Sequence, residues 1–196
     1  SGNSFAFTEY AAADGAFRYT KGGTWTKEGD RMLVTYEFHT ESAEKVGTQE
    51  SWQTTMKDGK LSLMTKASQG AYIAIDEPKV SPLQGPYLFS GRKKDGVGEL
   101  RTRSTDGPRK TMKILTGSHF QWIAYNTETK EFFGTGGGSY TAEEGKYVEN
   151  IEFFSRDNSR VGASLNFQFK VVDGDWHHSG KSSKGAPMYE VWAKRK

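Results

Sequence analysis

The chain predicts an all-β protein made of two tandem related units. The second is a closed up-and-down barrel and the first is incomplete. Three observations carry this. Helical periodicity is almost absent. Short segments rich in aromatic and β-branched residues alternate with Gly, Asp and Asn clusters at regular spacing. And the chain repeats itself: residues 22–59 align without a gap on residues 137–174, with 11 of 38 positions identical.

The strands follow in order. In the first unit they are expected at 4–10, 17–26, 31–39, 48–57, 60–67 and 71–75. In the second they are expected at 86–92, 109–115, 119–126, 131–141, 147–155, 163–172, 175–182 and 188–194. Asp58-Gly59 and Asp173-Gly174 are hairpin turns, since both central positions of such a turn need positive φ. Residues 76–86 hold three of the five prolines and read as the connection. This divides the chain into 1–78, an incomplete repeat; 79–84, a linker; and 85–196, the complete barrel. The first unit matches only the last six strands of the second. The two missing strands are expected to be truncated or supplied from outside the chain.

Composition narrows the classes. The 196 residues are 34% hydrophobic and 13% aromatic, so aromatic side chains supply much of the core. Charge is mixed in sign, with a net +3, which argues against a disordered tail. There is no cysteine, which removes disulfide scaffolds, thiolate zinc sites and thiol catalysis. No apolar run reaches the roughly 18 residues of a membrane helix. The chain opens on Ser1-Gly2-Asn3, which reads as a processed or trimmed start without a visible signal segment. The densest basic patches are Arg92-Lys93-Lys94, the span 101–110, and Lys194-Arg195-Lys196. They are solvated loops and a tail, or else the footprint of an anionic partner.

The segment "EFFGTGGGSYT", 131–141, could suggest a phosphate cradle. It fails the dinucleotide pattern, because Ser139 stands where the third glycine belongs, and a strand follows instead of a helix. The first copy, "YTKGGTWT" at 19–26, keeps Gly22 and Gly23 but has Tyr19 and Lys21 in place of Gly134 and Gly136. A sharp strand bend explains what both copies keep. His177 and His178 are neighbours on a strand and point to opposite faces, so they do not share a metal. No nucleophile elbow or triad pattern is present. No nucleic acid is expected, since the aromatics Trp122, Tyr125, Phe132 and Phe133 near Lys130 read as core. No cofactor motif is found.

Alternation gives the strand faces. Leu165, Phe167, Phe169 and Val171 share an inner face. Tyr147, Glu149, Ile151 and Phe153 share another, on which Glu149 is the odd residue. In the first copy the inner face reads Glu50, Trp52, Thr54, Met56. A buried carboxylate needs a partner, so Glu149 or Glu50 is expected to meet an Arg or a ligand, or to lie at a wet barrel mouth. Glu37 and Glu152, kept in both copies on the outer parity, are expected to be structural partners.

The stretches "RKTMKILTGSHFQWIAYNTETKEFFGTGGGSYT", "ENIEFFSRDNSRVGASLNFQF" and "DGDWHHSG" give residues 85–196 a resemblance to small lipocalin-like (calycin) domains of unknown function from gut Gram-negative bacteria. The first unit is similar in divergent form. The resemblance implies a β-barrel that is secreted, periplasmic or lipid-anchored to the cell envelope, and it carries over no catalytic residues. The expected activity is therefore non-enzymatic. A small apolar or amphipathic ligand would sit in a cup lined by Phe120, Trp122, Tyr147, Glu149, Ile151, Leu165, Phe167 and Phe169. The alternative is a barrel filled by its own side chains, serving as an interaction module for an envelope protein partner.

Overall fold

A strand that pairs on both edges and bends sharply at a glycine is the unit from which both halves of this chain are built. The computed structural model describes residues 2–58, 60–65, 69–76, 80–182 and 185–195. Six antiparallel strands make the first sheet, in sequence order: β1 (Ser4–Tyr10), β2 (Phe17–Glu28), β3 (Arg31–His39), β4 (Gln49–Lys57), β5 (Lys60–Met64) and β6 (Gln69–Ile73). The sheet is curled but open at β1 and β6, a half-barrel.

The second sheet closes on itself. It comprises β7 (Gly85–Lys93), β8 (Leu100–Thr102), β9 (Arg109–Leu115), β10 (His119–Asn126), β11 (Phe132–Glu143), β12 (Lys146–Phe154), β13 (Ser164–Val172), β14 (Asp175–Lys181) and β15 (Pro187–Lys194). Apart from β8, each strand pairs with the next, and β15 pairs back to β7. The result is an eight-stranded antiparallel barrel without a free edge. The short β8 was not expected. It shares one edge of β7 with β9, pairing at Gly91–Lys93 while β9 pairs at Gly85–Leu88.

The glycines act on backbone geometry. Each copy carries a register shift at the glycine pair, between Gly22 and Gly23 and between Gly137 and Gly138. Gly138 has φ +156, and a Cβ there would lie 2.0 Å from the Asn150 carbonyl oxygen. Gly23 repeats this at 2.1 Å from the Thr35 oxygen. Only glycine fits such a bulge, which turns the long β2 and β11 around their barrels. Asp58, Asp173 and Gly174 take the positive φ expected of their turns; Gly59 lies outside the described residues.

Three inner-face expectations fail toward strand ends: Phe153, past the register shift between β11 and β12, turns out of the barrel onto Tyr10, and the other two come out into solvent. Val171 is 48% exposed and Met56 is 67% exposed. Ladder pairing with β12 stops at Gln168, and that of β4 with β3 stops at Gln53, so each residue has lost a neighbouring strand to pack on. The strand expected at 71–75 runs instead over Gln69–Ile73, the register set by pairing with β5. Residues 66–67 of the strand expected at 60–67, and 77–79 at the division between unit and linker, lie outside the described residues. Within the linker, Leu83 is fully buried among the barrel's own aromatics. It therefore works as a plug for the barrel as well as a connection.

The units dock through an apolar layer. Phe38 and Ala6 of the first sheet pack with Leu88, Met112, Ile114, Ile123 and Tyr125 on the outside of the barrel. Equivalent positions of the repeat are exchanged across this layer: Phe38 packs on Tyr125 and Phe153 on Tyr10, at 5.0 and 4.8 Å between ring centroids. Phe17 and Phe132, equivalents of each other, stack at 6.2 Å. This is the pattern of a two-fold interface, made here within one chain.

Candidate functional site: a charged cup in the barrel

The barrel interior divides into a packed end and an open end. Leu83, Tyr87, Leu115, Tyr140, Tyr147 and Trp176 fill the packed end, all at most 4% exposed. The other end is a solvent-open cup of about 250 Å³. Of the residues expected to line a cup, Trp122, Glu149, Ile151, Leu165 and Phe167 do so. Phe120, Tyr147 and Phe169 do not. Phe120 and Tyr147 are buried in the packed core, and Phe169 packs against it. Their strands run the full barrel height, and alternation marks a face but not a depth.

The floor of the cup is charged. The Lys113 ammonium on β9 lies 2.6 Å from Glu149 Oε1 on β12, with both side chains only 7% exposed. The Tyr147 hydroxyl donates to the same oxygen at 3.0 Å. Four rings surround the ammonium: Trp176 at 4.9 Å, Trp192 at 5.2 Å, Tyr147 at 5.5 Å and Phe120 at 5.8 Å from their centroids. These contacts offset part of the desolvation a buried ion pair suffers. Glu149 thus has its partner, but a lysine rather than the expected arginine. In the first copy Glu50 instead accepts from the Tyr36 hydroxyl at 2.6 Å.

His178 on β14 stands beside this pair, 1% exposed, with the Phe167 ring centroid 4.1 Å away. Neither of its ring nitrogens has a hydrogen-bond partner among the described residues. Burial, reinforced by the Lys113 charge, holds its pKa well below the usual imidazole range. At neutral pH it is a neutral ring with one donor and one acceptor to offer. Its Nδ1 lies 3.8 Å from Glu190 Oε2 on β15. Burial raises the Glu190 pKa, against the opposing pull of Lys113 and a hydrogen bond from Trp192 Nε1 at 3.1 Å. His177 points out, as strand geometry requires, and shares a hydrogen bond with the Tyr189 hydroxyl at 2.8 Å.

At the mouth, Trp122 and Phe154 pack at 5.5 Å. A Cβ on Gly136 would meet both, at 2.7 and 2.8 Å. Gly134 serves a different neighbour, the Arg156 guanidinium, 2.4 Å from its would-be Cβ. The extra glycines of the second copy therefore make room for side chains, and Gly136 does so at the cup itself.

Sequence reasoning missed Lys113, Glu190 and Trp192 as cup residues. For β15 the signal was present, since Met188, Glu190 and Trp192 alternate. For β9 it was misleading. Met112 and Ile114 look like the inner face of "RKTMKIL", yet they are buried outside the barrel, against the first unit, and Lys113 points inward. Tyr125, considered as a base-stacking surface, is fully buried in the same layer.

Fold and site together define a closed antiparallel barrel with a charged, solvent-open cup, joined to a half-barrel of the same repeat. No family model matches the chain, and a search of the curated proteins finds no match.

Proposed function

We propose that this protein is a non-enzymatic binder of a small amphipathic molecule, held in the barrel cup. The observation that supports it best is the buried His178, with no hydrogen-bond partner among the described residues, facing a cup where Trp122, Ile151, Phe154, Leu165, Phe167 and Met188 supply apolar wall around a few polar groups. A buried polar group without a partner costs free energy, and a ligand group that completes its hydrogen bonds recovers it. An apolar pocket with a few convergent polar groups is the usual form of a small-molecule site. At about 250 Å³ the cup lies just under the usual range of small-molecule pockets, a size for a fragment-sized ligand or for one end of a longer one. A cell-envelope setting for this activity is part of the proposal, and its support is the sequence resemblance to lipocalin-like domains of gut Gram-negative bacteria.

A second reading, a filled barrel acting as an envelope interaction module, draws support from the packed aromatic end around Trp176 and Tyr147.

Native mass spectrometry of freshly purified protein separates the two. A reproducible bound mass, lost in Leu165→Trp, supports the binder. Absence of any bound mass, with no binding of alkyl amphiphiles by titration, supports the filled module.

A further inference from the structure

A second cavity, of about 410 Å³, adjoins the cup and shares Met188 and Glu190 with it. Its walls carry Arg92, Lys93, Lys94 and Arg101, against only Asp95 and Glu190. None of the four cations has a carboxylate within ion-pair distance among the described residues. The ladder explains how they gather. Arg101 on β8 is directly opposite Arg92 on β7. Arg92 is opposite Glu190 on β15, and Glu190 is opposite His178 on β14. Directly opposed residues share a face. One cross-strand row thus leads from two arginines at the rim, through Glu190, to the buried histidine of the cup. At about 4.8 Å per strand, Arg92 and His178 are roughly 10 Å apart along the row.

Two arginines directly opposite each other repel, and such a pair is destabilising unless something lies between them. Guanidinium forks match tetrahedral or planar oxyanions with paired hydrogen bonds. With the acids counted, the groove keeps an excess of two positive charges, which a phosphate monoester, carrying close to two negative charges at neutral pH, would balance.

We propose that the groove is the head-group site for an amphiphile ending in a phosphate-type oxyanion, with its apolar part in the cup. This rests on the cup being a ligand site. Lys113 is already matched by Glu149 at the floor. The rim is where an anionic head finds unmatched cations, and the walls at Leu165, Trp122 and Met188 are where a chain finds apolar surface.

The test is calorimetric titration of the full chain with three probes: decyl phosphate, decyl glucoside and inorganic phosphate, each amphiphile below its micelle concentration. Decyl phosphate is expected to bind tightest, with an affinity that falls as salt rises. Arg92→Ala/Arg101→Ala should weaken it about tenfold or more, to the level of decyl glucoside, and leave glucoside binding unchanged. Both arginines are exposed, and Lys94→Ala provides an independent, smaller decrement. Equal binding of the two amphiphiles, or decyl phosphate binding unaffected by the arginine variant, would overturn the head-group site while leaving the cup as a ligand site. Inorganic phosphate binding as tightly as decyl phosphate, with Leu165→Trp without effect, would overturn the role of the cup. No binding of any probe overturns both.

Discussion

The Tyr125 hydroxyl donates a hydrogen bond to Glu37 Oε2 at 2.6 Å, joining the barrel to the half-barrel. Tyr125 and Tyr10 are equivalent in the repeat, as are Glu37 and Glu152. The mirror bond is also made, from the Tyr10 hydroxyl to Glu152 Oε2 at 3.0 Å. Arg195, from the end of the barrel, adds charge-assisted bonds of 2.9 and 2.6 Å to Glu37 alone. Burial works against ionisation of Glu37, but Arg195 and the Tyr125 hydroxyl outweigh it and hold the pKa below the usual carboxylate range. Glu37→Ala strands Arg195 and should cost about 3–5 kcal/mol, whereas Tyr10→Phe should cost about 1 kcal/mol. Urea unfolding checks both. Because the folded pKa is depressed, the contribution of Glu37 is full above its ordinary value near 4.3 and is lost as pH falls through the lower folded value. The stability gap between wild type and Glu37→Gln should therefore close in that acid window.

His178 gives an acid dependence that starts at higher pH. Its folded pKa is lowered, so below the usual imidazole value of about 6.5 the unfolded chain binds a proton that the folded one does not. Stability should fall with pH below that point by about 1.4 kcal/mol per unit, down to the depressed value. His178→Phe should flatten this slope in denaturation curves measured between about pH 6.5 and 5. An unchanged slope in the variant would show that His178 is not held neutral.

The Lys113–Glu149 pair should behave non-additively. Lys113→Met leaves Glu149 buried beside the Tyr147 hydroxyl without its cation, at a cost of about 3–5 kcal/mol. Lys113→Met/Glu149→Leu removes both charges and should recover most of that loss. A double-mutant cycle in urea measures the coupling, and simple additivity would contradict the geometry.

Gly138→Val should lower the melting temperature sharply, because its side chain would collide with the Asn150 carbonyl at the bulge. Gly23→Val should do the same through Thr35, while Gly174→Ala, where a Cβ meets nothing, should cost less. Nucleotides should leave the wild-type melting curve unchanged. Nucleotide-dependent stabilisation would reopen the glycine segment as a phosphate site.

Gly136→Ala should act mainly on binding. Its methyl would press on Trp122 and Phe154 at the cup mouth, and amphiphile affinity should change more than stability. Parallel melting and titration separate these effects.

The all-β class, the two-fold repeat, most strand positions and the glycine bulge that both copies keep are legible in the order of residues. These are local properties: alternation, turn chemistry and steric need at a bend all act within a few residues. Glu149 is likewise legible there as a buried carboxylate. Which apolar face of a strand points inward depends on how the two units pack. In β9, Lys113 faces the barrel interior and Met112 the outside, the reverse of what polarity suggests. The reason is that the first unit covers the outer wall and makes that surface a core as well. Depth along the barrel was likewise invisible. Ile151 and Tyr147 share a face, yet one lines the open cup and the other the packed end. The row from Arg101 through Arg92 and Glu190 to His178 joins strands far apart in sequence, so only closure of β15 onto β7 could bring it together.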